Sequence, residues 1–242
     1  MDASLMLKVE SINSAESGCS SQSPCQHPFE GKIKLILYIN LCIILNNLMF
    51  NGLYDDRRAA QSAAFLLQLA GGSLEILKLT KLLYLSERLS YERYGEPLTG
   101  ATPYALNQGP VLSEIYDRTK RTENLNETWR TWITGRNGNH IILDHQIVDP
   151  SEELFALSRA DFKVMSAVWN DFGRMTAYEL VTYTHRHCPE WSDPGTSSHK
   201  IDPDTMLRKV GMKREDAARQ IEHLRQAATL KQTLDRNCAI AH

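Results

Sequence analysis

His185, His187 and Cys188 crowd the end of one helical stretch, and imidazole with thiolate is a good donor set for zinc. Three ligands so close together cannot all reach one ion from a regular helix, so a metal site needs donors from elsewhere. His140 and His199 stand at no ligand spacing that would supply them. A Cys188 nucleophile would need a histidine base and an orienting group. Sequence neighbours on a helix diverge, and no G-x-S-x-G elbow is present. The favoured reading is a histidine bonded locally beside a buried Trp191. No metal, cofactor or catalytic residue is expected, and a metal- or thiol-dependent hydrolase stands third among the readings of function.

The glycine pairs Gly71-Gly72 and Gly135 to Gly138 match neither phosphate-loop pattern and read as turns. The acidic pairs Asp55-Asp56 and Glu152-Glu153 stand where helix starts keep charge in water. Lys78, Lys81, Arg88 and Arg93, followed by Arg118, Lys120 and Arg121, could line a basic strip for nucleic acid. They also suit helix ends and pairing with Glu87, Glu92 and Glu123, and this reading as a solvated face is the favoured one. With 27 basic against 29 acidic residues, net charge −2, no global field draws the chain to nucleic acid or to an anionic membrane. Neither is an expected partner. The 42% hydrophobic and 23% charged content is that of a folded protein. Five scattered cysteines make a poor disulfide framework and fit a reducing cytoplasm.

Positioning such residues requires helices. RRAAQSAAFLLQLA, ending at Ala70 before Gly71-Gly72, is one, opening on an acidic cap. Ser73 is read as the cap of a second, whose Leu74, Leu77, Leu82, Leu85 and Leu89 share a face until Gly95 and Pro97. Gly109-Pro110 is read as a third helix start, with Val111, Leu112, Ile115 and Tyr116 at helical spacing. The runs WRTWIT and HIILD, flanking Asn137-Gly138, form a hairpin between Trp129 and Asp144. Ser158 with Asp161, and Thr176 with Glu179, are capping boxes, and the second of these helices stops at Cys188-Pro189. Asp202-Pro203 opens a short helix closed by Gly211, and Ala217, Ile221, Leu224 and Ala228 form the seam of a terminal one.

The chain thus reads as mainly α, a single helical domain with one small β-hairpin and a flexible N-terminal extension. Residues 1–32 are Ser-rich without a periodic apolar face. The apolar run Ile33 to Phe50 carries Lys34, Asn40, Asn46 and Asn47, costly in a membrane. Composition changes at Met49, so 1–48 are read as an extension, disordered or ahead of the true start, and 49–242 as the working domain with its C-terminal helix.

Four segments in order carry a resemblance: LKLTKLLYLSERLSYERYGEPLTG at 77–100, NQGPVLSEIYD at 107–117, DFGRMTAYELVTYTHRHCPEW at 171–191, then Pro194. Together they resemble the SocA-like antitoxins, the Panacea domain family that includes phage-associated GepA-like proteins, over roughly Leu53 to Gly211. The resemblance implies an antitoxin of a toxin-antitoxin system that neutralises a cognate toxin, encoded by an adjacent gene, through direct binding. It also implies that delivery of the toxin to a bacterial protease is one route. Its motif positions here are Lys81, Leu82, Leu83, Tyr84, Gly109, Pro110, Val111, Thr184, His185, Glu190 and Trp191, read as fold determinants. The family commonly has His before Gly-Pro, where this chain has Gln108. Partner contact is read at Tyr91, Tyr94 and the loop Gly100 to Gln108, with Thr102, Tyr104, Asn107 and Gln108 as its residues, because aromatics beside an adaptable loop suit hot spots. The alternative function is a DNA-binding regulator of its own operon.

Overall fold

The computed structural model describes residues 52–240, and the readings for 1–48 lie outside them. Helix α1, Asp56–Leu69, begins where the Asp55 carboxylate accepts the Arg57 and Arg58 amides. Ala59, Ala60, Ala63 and Ala64 are wholly buried, letting neighbouring backbone approach closely. After Gly71 and Gly72, both at positive φ, the chain does not re-enter helix at Ser73. Ser73–Glu75 is strand β1, antiparallel to His140–Leu143. Helix α2, Ile76–Tyr94, starts without a side-chain cap, because the Ile76 amide is taken by the Asn139 carbonyl. Every residue from Leu79 to Glu87 is buried. A helix buried all round sits in the centre, and α2 packs on α1, Arg159–Phe172 (α6), Ala177–His187 (α7) and strand Gly109–Leu112 (β3). It ends on Gly95, in the left-handed conformation.

The expected third helix start is instead a strand. Pro103–Leu106 (β2) and β3 form an antiparallel hairpin closed by Asn107-Gln108, and His199–Lys200 (β6) adds to β2, so β3 is an edge. Gly109 sits at φ +89, which no helix start adopts. Pro110, lacking an N–H, is tolerated at an edge. Helix α3 begins four residues later, at Ser113–Lys120. Its Glu114 carboxylate accepts the Thr102 amide and hydroxyl, each at 2.7 Å.

The second hairpin, Ile133–Asn137 (β4) with β5 (His140–Leu143), turns at Gly138-Asn139 and joins β1 in a three-stranded sheet. The expected hairpin thus forms, within a three-stranded sheet, and the β2–β3 hairpin with β6 makes a second small sheet that was not expected. Trp129 and Arg130 belong not to β4 but to a short helix, Glu127–Arg130 (α4), capped by Asn126. The indole of Trp129 is buried and donates to Asp56 Oδ1 at 2.8 Å, which holds α4 against α1.

Both expected capping boxes form. Ser158 and Asp161 open α6, and Thr176 and Glu179 open α7, which stops before Pro189. Asp161 is also gripped by Arg58 through two 3.0 Å bonds. Between the sheets and α6 lies the single turn Pro150–Glu153 (α5). Pro203–Lys209 (α8) and Arg214–Ile240 (α9) follow, α9 burying Ala217, Leu224 and Ala228. The fold is mainly α, as the periodicities require. Among the described residues no helix is long and apolar enough to cross a membrane.

Candidate functional site

A single face of α2 carries Leu77, Lys81, Tyr84 and Arg88 at spacings of four, three and four. Opposite them stand the end of α7 and the β2–β3 hairpin. The Lys81 side chain is wholly buried, and its ammonium donates to the Pro110 carbonyl at 2.8 Å. One turn on, the Tyr84 hydroxyl donates to Glu190 Oε1 at 2.7 Å, and Arg88 Nε reaches the same oxygen at 2.9 Å. Glu190 thus closes a buried clamp between α2 and the segment after α7, while its Oε2 has no partner among the described residues.

The last turn of α7 sends its side chains apart. Thr184 is buried against Gly109. His185 lies flat on Trp191, rings 4.0 Å apart at 5°, while His187 stacks on Tyr183 at 4.5 Å. Trp191 Nε1 donates to the Leu106 carbonyl at 3.0 Å, fastening the hairpin. Cys188 is buried. Among the described residues no three His, Cys, Asp or Glu side chains gather as metal ligands would.

Burial dominates the electrostatics. It pushes the Lys81 amine down to about 7 and the Cys188 thiol up to about 12, the latter aided by the negative charge of Glu190. A thiol so placed is no nucleophile at neutral pH. Burial and then the Lys81 charge lower the His185 imidazole, and burial with the Glu190 charge holds the Tyr84 phenol well above its ordinary value. Among the described residues the Lys81 charge has no carboxylate bonded to it, and Glu190 is spent on Tyr84 and Arg88.

Gly109 is where backbone meets this cluster. A Cβ there would come within 2.8 Å of Thr184 Oγ1, 3.1 Å of Lys81 Nζ and 3.2 Å of the His185 ring, at a φ of +89. Gly109→Ala is expected to cost about 2 kcal/mol, read as a lower urea midpoint at unchanged slope. An unchanged midpoint would mean that the hairpin shifts freely.

Residues 79–192 match the model of the family described as antitoxin SocA-like, Panacea domain. Over those residues the chain is similar to a Panacea domain. The match is narrower than the expected 53–211, and it takes in every residue of the buried cluster, from Lys81 to Trp191. No curated protein and no solved structure matches the chain. The motif residues of the Panacea domain, scattered over three sequence segments, converge here on one spot: Lys81 and Tyr84 from α2, Gly109 and Pro110 from β3, Thr184 and His185 from α7, then Glu190 and Trp191. Val111 follows in β3, buried and in register with Tyr104.

The residues singled out for partner contact do not form one surface. Tyr91 lies in the core beside Glu87, and burial and that carboxylate raise its phenol. Tyr94 is 47% exposed, but thirteen residues along α2 from Lys81, about 20 Å at 1.5 Å per residue. Thr102 is bound to Glu114. Tyr104 is partly exposed on β2, and Asn107 and Gln108 are exposed at the hairpin turn. The segment Gly100 to Gln108 is thus loop at its ends with the strand Pro103–Leu106 in its middle.

The basic strip dissolves likewise. Lys78 donates to the Gly173 carbonyl at 2.7 Å, Lys81 is buried, and Arg88 serves Glu190 and Glu92. Sequence reasoning missed the buried Glu87, which accepts the Thr99 amide and hydroxyl and the Gly100 amide. A carboxylate inside an amphipathic run carries no local signal of burial.

Proposed function

We propose that this protein is an antitoxin that neutralises a cognate toxin by direct binding, with the β2–β3 turn as part of its contact surface. The match of residues 79–192 to the Panacea domain carries this reading. The geometry agrees with it. A protein that acts by covering another needs a rigid body and an exposed, adaptable edge. Here the clamp on Glu190 and the Trp191 indole hold the hairpin from behind, while Asn107 and Gln108 meet solvent in front. The facing loop around Gly195, tied to Asn107 Nδ2 at 3.4 Å, widens that edge. Tyr104 lies on the same hairpin, whereas Tyr94 belongs to a different face.

A DNA-binding regulator draws no support from Lys78, Lys81 and Arg88 of α2, which are turned to internal partners, so that Arg93 is left as the exposed base of that strip on α2. The test is growth of bacteria expressing each gene adjacent to this one, with and without the full chain. Rescue from one neighbour's toxicity is the expected result, and the absence of any rescued neighbour would overturn the reading. With the toxin in hand, the double change Asn107→Ala, Gln108→Ala is expected to weaken binding at least about tenfold at unchanged melting temperature. Unchanged affinity would move the interface off the hairpin. Toxin levels during rescue separate masking, which leaves them unchanged, from delivery to a protease, which lowers them.

A further inference from the structure

Between the β2–β3 turn and the loop around Gly195 lies a cleft of about 450 Å³, within the range of small-ligand sites. Leu77, Leu106, Val111 and Tyr116 wall it, backbone of Gly109 and Gly195 edges it, and Lys81, itself without exposed surface, lies beneath it. The Lys81 ammonium has three donors, and its one hydrogen-bond acceptor among the described residues is the Pro110 carbonyl. Among the described residues no carboxylate pairs with it: Glu190 is committed to Tyr84 and Arg88, and Cys188 keeps its proton. A neutral donor would hold Pro110 equally well, and an apolar side chain would suit the burial better. Apolar walls around an uncompensated buried cation form a complement to one kind of group, an anion on an apolar stem.

From this geometry we propose that the cleft binds a small organic carboxylate, its carboxylate pairing with the Lys81 ammonium and its short hydrocarbon stem lying against Leu77, Leu106 and Val111. A planar carboxylate accepts the donors that Pro110 leaves unused, and binding fixes the proton on Lys81. Beyond Leu106, the turn's side-chain tie to the facing loop is the long Asn107 to Gly195 bond between exposed groups. Release of that tie would uncover Lys81 to the carboxylate and would leave the Glu190 clamp in place. The site shares the Asn107-Gln108 edge with the proposed toxin contact, and it is tested without a toxin.

The test is thermal unfolding of the full chain at pH 6.5 in 10 mM sodium butyrate, against equal sodium chloride and against 1-butanol. A dissociation constant of about 1 mM would raise the melting temperature by about 3 °C. The rise is expected with butyrate alone, and to vanish in Lys81→Met, whose fold is intact by the same melt. No rise with butyrate would overturn the proposal. So would an equal rise with butanol, which would reduce the cleft to an apolar hollow, or an equal rise in Lys81→Met, which would place the carboxylate elsewhere.

Discussion

Lys81→Met is expected to make the protein more stable at pH 7, by about 3 kcal/mol. The amine is pushed from an ordinary 10.5 down to about 7 by burial. At about 1.4 kcal/mol per unit, that is about 5 kcal/mol of destabilisation by the charged form. Methionine fills a similar volume with no charge to desolvate, and loses one hydrogen bond, to Pro110, worth about 1.5 kcal/mol. The sign reverses with pH. Below 7 both folded and unfolded chains carry the proton and the penalty is complete. Between 7 and 10.5 the unfolded chain holds more protons than the folded one, so native stability rises with pH, the advantage of methionine vanishes, and only its lost hydrogen bond remains, of about 1.5 kcal/mol. Urea melts of both proteins at pH 7 and pH 10 measure it. A substitution that destabilises at pH 7 would show that Lys81 is compensated after all.

Glu190→Ala is expected to act in the opposite direction, costing about 4 kcal/mol. The side chain is fully buried, and a single oxygen accepts both the Tyr84 hydroxyl and Arg88 Nε. Truncation leaves a buried phenol without an acceptor and a guanidinium, 19% exposed, with only Glu92 at 3.6 Å. Breaking a buried pair by removing one partner typically costs 3–5 kcal/mol, because the survivor stays desolvated. Arg88 is partly solvated, which holds the figure within that range. Adding Tyr84→Phe should recover part of the loss, since the orphaned hydroxyl is then gone, and the double-mutant cycle reports the coupling. A loss below about 1 kcal/mol for the single change would mean that water replaces the carboxylate and that the clamp does not hold α2 to α7.

Features of the fold written in local chemistry were legible. Ser158 with Asp161 and Thr176 with Glu179 are capping devices that act within four residues, and both form as read. Pro189 and Gly95 end helices because they forbid or favour particular backbone angles. Failures arose where distant partners decide. Gly109-Pro110 satisfies the rule for a helix start, but Pro110's carbonyl is drawn to Lys81 and the pairing of Ala105 makes it an edge strand. Ser73 could cap a helix, yet strand pairing to Ile142 claims it. The site suffered in the same way. Lys78, Lys81 and Arg88 look like a solvent-facing basic strip until their acceptors, Gly173, Pro110 and Glu190, arrive from residues 29 to 102 positions further along. Periodicity tells which residues share a face of α2, and it is silent on whether that face meets water.

Central placement of α2 also orders events during synthesis. Tyr84 and Arg88 find their acceptor 106 and 102 residues downstream. At roughly 5–20 residues per second, the apolar surface of α2 leaves the ribosome about 5–20 s before Glu190 exists to cover and lock it. During that interval the nascent chain offers a long, sticky helix to chaperones and to other chains. A chain cut before Glu190 would keep the Lys81 to Pro110 bond but lose both the clamp and the indole that fasten the hairpin presenting Asn107 and Gln108, so a half-length product is expected not to replace the whole.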